Sequence, residues 1–197
     1  MAGFVLFKEP DILGEVTQGS FAQFPSPNGQ TAKQFYYNWI ELNSVSQNVL
    51  RQIESGRSGT ARARSGTVME DISVEKEVDR TTVELIQAVA GGTAFKHVWI
   101  HLCTSVADQI GSSESLHPYL ELHLYAVKVT RYTLTGGGLD DGRIPNEQLN
   151  LNFDKITWKY WPIGPIPENM EAEPNKVHED KKKLAGWDIL KQAPFSG

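Results

Sequence analysis

The chain has 197 residues and a formal net charge of −5, with 40% hydrophobic and 22% charged residues. That balance suits one globular domain and excludes a disordered chain, while the mild acidity argues against a dedicated nucleic-acid binder. A single cysteine excludes an intramolecular disulfide and any multi-cysteine zinc or iron–sulfur site, and no apolar run reaches the roughly 20 residues of a membrane helix.

Residues 1–10, MAGFVLFKEP, have no basic start, and their apolar stretch stops at Lys8, too soon for a secretory signal. Synthesis in a cytoplasm-like compartment is expected, with any export by another route. Residues 3–8 read as a first strand and residues 14–18 as a second. Residues 19–33 hold Pro25, Pro27, Asn28 and Gly29 and read as a loop. Residues 35–45 read as a strand rich in aromatic residues. Residues 51–66 carry Arg51, Arg57, Arg62 and Arg64 with three glycines, three serines and one acid, Glu54. By composition that is a solvated flexible loop, with an acidic partner or nucleic acid as the sharper reading. Residues 68–76 read as the next strand.

One helix follows, over residues 81–90. Thr81 and Glu84 have the spacing of a capping box, and Asp79 adds negative charge at the helix start. Leu85, Ile86 and Val89 fall on one face, and Gly91-Gly92 supplies the stop.

Alternation then dominates. In residues 97–103, Val98, Ile100 and Leu102 share one face; His97, Trp99, His101 and Cys103 share the other, expected to be half-exposed. In residues 118–133, Leu120, Leu122 and Leu124 alternate with Tyr119, Glu121, His123 and Tyr125. Residues 106–117 between them are polar and serine-rich and read as a loop. The glycines 136–138 and Asp140-Asp141-Gly142 read as a hairpin connection, since the ligand spacing of a calcium or phosphate loop is missing. In residues 148–161 the apolar phase begins odd, at Leu149, Leu151 and Phe153, and ends even, at Ile156, Trp158 and Tyr160. The switch predicts an extra residue in a β-bulge, or a change of packed face, near residues 154–155. Residues 161–183 hold four of the ten prolines and a lysine run, which block strand pairing. Residues 186–191 read as the last strand. The fold class is mainly β: a closed or nearly closed antiparallel β-barrel in one domain, with one short α-helix on its side. Its core is expected to include Ile100, Leu102, Leu122, Leu124, Leu151, Phe153 and Trp158.

No catalytic constellation survives a geometric test. His97, His101 and His123 invite a metal, but residues i and i+4 of a strand lie ~13 Å apart, so His97 and His101 cannot share one ion. Cys103 on an alternating strand reads as a small packed hydrophobe. Nucleophile-elbow, phosphate-loop, dinucleotide and zinc-protease motifs are missing from the sequence. No cofactor and no metal are expected.

The order of pieces carries more. Val45-Ser46-Gln47-Asn48 closes the aromatic strand, the arginine-rich loop follows, then Val68–Met69–Glu70–Asp71–Ile72–Ser73–Val74, then Lys76, Asp79 and Thr82 in a Lys-x-x-Asp-x-x-Thr run into the helix. A glycine-ended strand, the run Glu147-Gln148-Leu149-Asn150-Leu151-Asn152-Phe153 into Ile156-Thr157-Trp158-Lys159-Tyr160, and a closing Gly186-Trp187-Asp188-Ile189 complete it. This order resembles the haemolysin-coregulated protein (Hcp) family of type VI secretion. The resemblance implies a β-barrel subunit of hexameric rings that stack into a tube, inside a sheath and beneath a spike, with effectors in its bore. It also implies residence in the bacterial cytoplasm before firing, then secretion without a signal peptide or membrane insertion. Residues 50–65, with the four arginines, are then the arm reaching a neighbouring protomer or ring. Residues 19–33, 106–117 and 162–184 read as additions. Phage-tail and extracellular injection tubes share the fold. A different reading is a β-sandwich module that binds carbohydrate or protein through exposed Tyr36, Trp39, Trp99 and Trp161; a third is an enzyme centred on Cys103 or a histidine.

Overall fold

The computed structural model describes residues 2–16, 36–53, 64–107, 114–136, 142, 144–162 and 182–195. Its strands are β1 (Ala2–Lys8), β2 (Ile40–Leu42), β3 (Ser44–Ser46), β4 (Val49–Ile53), β5 (Arg64–Met69), β6 (Ile72–Glu77), β7 (Ala94–Ala107), β8 (Glu114–Thr135), β9 (Asn146–Asn152), β10 (Lys155–Tyr160), β11 (Lys183–Asp188) and β12 (Ala193–Pro194), with helix α1 (Thr82–Gly91) between β6 and β7. The main sheet runs β12-β11-β10-β8-β7-β1-β2; β9 also pairs with β8, β6 with β9, and β3 with β6, while β4 and β5 form a separate ribbon.

The expected fold class holds: mainly antiparallel β with one short helix. The strand pairings return on themselves, from β1 through β7, β8, β9 and β6 to β3, and from β2 back to β1. The sheet's two arms share residues 40–46: β2 pairs with β1, and beyond Asn43, whose N–H donates to the Glu75 carbonyl at 2.7 Å, β3 pairs with β6. Several strands differ from expectation. Residues 13–16 are not a strand; they hold the turn at Tyr36–Asn38 through the Gly14 N–H to Asn38 O (2.8 Å) and the Val16 N–H to Trp39 O (3.1 Å). That turn and Asn43 divide the expected strand 35–45, and Glu70-Asp71 divides 68–76 into β5 and β6. The last strand ends at Asp188 in a turn.

The phase switch near residue 154 is real, but no residue is inserted there. Lys128 pairs with Asn152 and Tyr125 with Lys155, so β8 and β9–β10 have equal lengths across the gap. Both change packed face together. Before the gap Leu151 and Phe153 are buried, after it Ile156; opposite them Val129 and Val127 give way to Leu124 and Leu122. The neighbouring strand β7 does the same, from Phe95 to Val98. Lys96, Ala126 and Asp154 thus lie in one transverse line, where Ala126 takes φ 53° and every strand skips half a pleat. The register shift of the β8–β9 ladder falls instead between Val129 and Arg131.

Two apolar clusters flank β1. Val5 and Phe7 join the larger, with Ile72, Val74, Leu85, Phe95, Val98, Ile100, Leu122, Leu124, Leu149, Leu151, Phe153 and Ile156. Trp158 packs on its margin, while Leu102 is only half-buried. Phe4 and Leu6 face the other way, into a smaller cluster with Tyr36, Trp39, Cys103 and Trp161. A sheet buried on both faces reads as a continuous apolar run, which is what residues 3–7 are. The second cluster also corrects the half-exposed face expected on β7, because the Tyr36–Asn38 turn covers it and leaves His101 1% exposed and Cys103 fully buried.

Candidate assembly surfaces and the motif network

Lys76, Asp79 and Thr82 converge where α1 meets the sheet. The Lys76 Nζ lies 2.6 Å from Glu147 Oε1 and 2.8 Å from Asp79 Oδ1, and donates to the Glu77 carbonyl at 2.7 Å. Glu147 also accepts from the Thr82 hydroxyl (3.1 Å) and the Tyr132 hydroxyl (3.0 Å). Burial, together with the bond to Glu147, pushes the Tyr132 phenol up to about 12. A buried charge pair is tolerable only when its remaining lone pairs and protons are also satisfied, and here four elements satisfy them. The motif is therefore a structural clamp between β6, α1, β8 and β9.

The helix start differs from a capping box. The Thr81 side chain makes no cap bond; its N–H and hydroxyl donate to Asp79 Oδ1 at 2.8 and 2.6 Å, and the Asp79 N–H donates to Thr82 Oγ1 at 3.1 Å. Glu84 stays exposed. Leu85 and Ala88 are buried, while Ile86, expected on that face, points outward with Val83. Gly92, at φ 65°, ends the helix.

The closing Gly-Trp-Asp run has its own geometry. A Cβ on Gly186 would collide with the Phe195 carbonyl, and the Gly186 carbonyl accepts the Phe195 N–H at 2.9 Å. Trp187 packs on the larger core; Asp188 Oδ1 accepts the Lys191 N–H at 3.0 Å and fixes the turn.

On the other face of β7, His101 is held between Glu121 (2.9 Å from Nε2) and the Tyr36 hydroxyl (3.1 Å from Nδ1). Burial alone would raise the Glu121 carboxyl, but His101 and Lys159, 3.1 Å away, bring it down to about 2. Cys103 Sγ lies 3.0 Å from the Tyr36 hydroxyl, and burial pushes the thiol up to about 12. A thiol so fully protonated at neutral pH is not a poised nucleophile. The three histidines do not gather: His97 meets His123, while His101 turns into the smaller cluster. Among the described residues, no three His, Cys, Asp or Glu stand in a ligating arrangement. The aromatic platform is also absent, because Tyr36, Trp39 and Trp161 are buried.

Of the arginines, Arg51 is exposed on β4 and Arg64 begins β5; Arg57 and Arg62 lie outside the described residues. The β4–β5 ribbon exposes Val49, Leu50 and Val68. A lone two-stranded ribbon is marginal in water, and this one is tied back by the Thr67 N–H to Gln192 Oε1 bond at 2.9 Å.

The family model described as "Type VI secretion system effector, Hcp" matches residues 14–160. The chain belongs to the Hcp family. Hcp is a structural tube protein family of type VI secretion. Solved structures agree on the fold. A type six secretion system protein superposes with a TM-score of 0.71 at 15% identity, over 98% of this chain and 99% of that one. Hcp1 from Salmonella typhimurium gives 0.60 at 14% identity, over 98% of both chains. A type VI secretion system effector from Yersinia pestis gives 0.55 at 17%, over 95% of this chain and 99% of that one. No curated protein sequence matches the chain. The Lys76–Asp79–Thr82 clamp and the Gly186 turn thus give physical content to the two runs on which the sequence resemblance leaned. What sequence reasoning missed is Glu147 and Tyr132, the clamp's other half.

Proposed function

We propose that this Hcp chain closes into hexameric rings that stack into the inner tube of a type VI secretion machine and carry effectors in the bore. Membership of the family over residues 14–160 carries this reading. Ring closure uses one surface patch against a different one, and stacking repeats without limit along the axis, as heterologous interfaces allow. The ribbon β4–β5 and the arginine-bearing segment 50–65 belong at the contact between protomers or between rings. Exposed Val49, Leu50 and Val68 give that contact apolar area, and the arginines give donors for the carboxylates of an acidic neighbour. Sheath, spike and effector proteins are the partners. The chain is loaded from the bacterial cytoplasm and secreted on firing; no helix among the described residues is long and apolar enough to cross a membrane. Native mass spectrometry and negative-stain imaging of the purified chain test it: six-membered rings are expected, and a monomer at micromolar concentration refutes it.

A further inference from the structure

On the side of β7 and β8 away from the larger core, four rings stand together: His97, Trp99, His123 and Tyr125. His97 pairs across the ladder with Tyr125 and Trp99 with His123, so the two histidines are diagonal neighbours. Nδ1 of His97 lies 3.1 Å from Nε2 of His123. Two imidazole nitrogens bound to one ion at about 2.0–2.1 Å, with the ligand angles of tetragonal or tetrahedral geometry, lie about 2.9–3.4 Å apart. The pair already has the separation of two adjacent ligands.

The rings are also held. His123 stacks on Trp99 with centroids 4.3 Å apart and planes at 17°, and on its other side meets Tyr125 at 4.1 Å. His97 stacks on Trp99 at 5.3 Å and meets Tyr125 edge-on. Ligands pre-set by their neighbours lose little freedom on binding. Both are half-buried rather than sealed. Burial lowers the proton affinity of both rings, His123 to about 4. Glu121 and Glu9 add negative field at the pair, opposed by Lys159 and Lys96.

We propose that His97 and His123 form a two-histidine site for one borderline divalent transition-metal cation, copper(II) in preference to nickel(II) or zinc(II), with water completing the coordination. In the metal-free pair one facing nitrogen carries the proton and the other accepts it. On binding, that ring changes tautomer through solvent, both facing nitrogens give lone pairs to the ion, and no net proton is released. Imidazole suits these ions, and copper(II) binds nitrogen most tightly of the three; magnesium and calcium prefer oxygen. The earlier exclusion of His97 with His101 stands, because the partner is on the next strand rather than four residues along.

The test uses the full chain stripped with a chelator and titrated with copper(II) alone. Calorimetry is expected to give one saturable site per chain. Electron paramagnetic resonance should show nitrogen coupling from two imidazoles, and Trp99 emission should fall. His97→Gln and His123→Gln should each weaken binding at least about tenfold, while His117→Gln and His178→Gln leave it unchanged and magnesium gives no heat. Saturable binding that survives in a folded His97→Gln/His123→Gln double variant overturns the site. So does a wild-type copper spectrum without two-imidazole coupling, which needs no variant to fold.

Discussion

Lys76 and Glu147 stand directly opposite each other on β6 and β9, each in the phase of its strand that otherwise buries only aliphatic residues. Ile72 and Val74 precede Lys76 inward; Leu149 and Leu151 follow Glu147 inward. The pair is thus built into the core pleat, and Asp79, Thr82 and Tyr132 close around it from the helix and β8.

Removing one partner should therefore be far worse than removing both. Lys76→Met leaves Glu147 buried without its cation, at a cost of about 3–5 kcal/mol. Lys76→Met/Glu147→Leu should recover much of that loss. Urea unfolding of the three proteins measures the coupling; equal losses in the single and double variants would show that the network is not a unit.

The clamp also marks how far the sequence could be read. Period-two runs exposed the β class, the helix and its glycine stop, because pleat and helix periods are local. Glu147 was legible in principle: a carboxylate in the odd phase of Leu149 and Leu151 is a buried charge in search of a cation. The face of His101 and Cys103 was not, because its cover, the Tyr36–Asn38 turn, comes from sixty-odd residues away. The paired face change at Lys96, Ala126 and Asp154 showed in one strand, yet only cross-strand register reveals that it needs no inserted residue. Alternation specifies a sheet and says little about which strands meet, so the circuit of pairings that returns from β6 through residues 40–46 to β1 shows only in the structure.

Gly186 should not tolerate alanine. The added Cβ meets the backbone carbonyl of Phe195, which cannot swing aside as a side chain can. Overpacking of this kind costs about 1–3 kcal/mol. Gly186→Ala should lower the melting temperature, and Gly136→Ala, with nothing within 4 Å of its Cβ, should not.

Cys103 should resist alkylation. Its thiol is buried against Tyr36 and held at about 12. Iodoacetamide at pH 8 should label the native chain far more slowly than the urea-unfolded chain. Equal rates would contradict the packing of the smaller cluster.

Acid should destabilise the metal-free chain in two windows. His123 falls from 6.5 to about 4 on folding, so the unfolded chain binds more protons there and stability drops as pH falls from about 6.5 to 4. Glu121 falls from 4.5 to about 2, so its stabilisation, complete above the unfolded value, is lost as pH falls further towards 2. With chelator present, His123→Gln should flatten the first window and Glu121→Gln the second in denaturation curves taken across pH. Unchanged slopes would refute the assignments.

Assembly should separate into two strengths. Exposed arginine–carboxylate pairs contribute only about 0.2–1 kcal/mol each and are screened by salt. The arginine-rich segment can therefore tune stacking without holding a ring closed. Deleting residues 57–64 should leave rings and weaken tubes, and raised salt should do the same more mildly. In the proposed tube, ring closure should depend on apolar contact and backbone pairing. The ribbon offers Val49, Leu50 and Val68 for this, all exposed in the single chain. Val49 is 50% and Val68 40% exposed, so Val49→Asp/Val68→Asp should lower the stability of the dilute monomer only modestly, by about 1–2 kcal/mol in urea unfolding. At an interface the same charges would be desolvated and unpaired, so association should fall sharply. Analytical ultracentrifugation at fixed concentration, with and without salt, separates the cases. Tubes indifferent to the deletion and rings indifferent to the aspartates would together remove segment 50–65 and the ribbon from the assembly contacts.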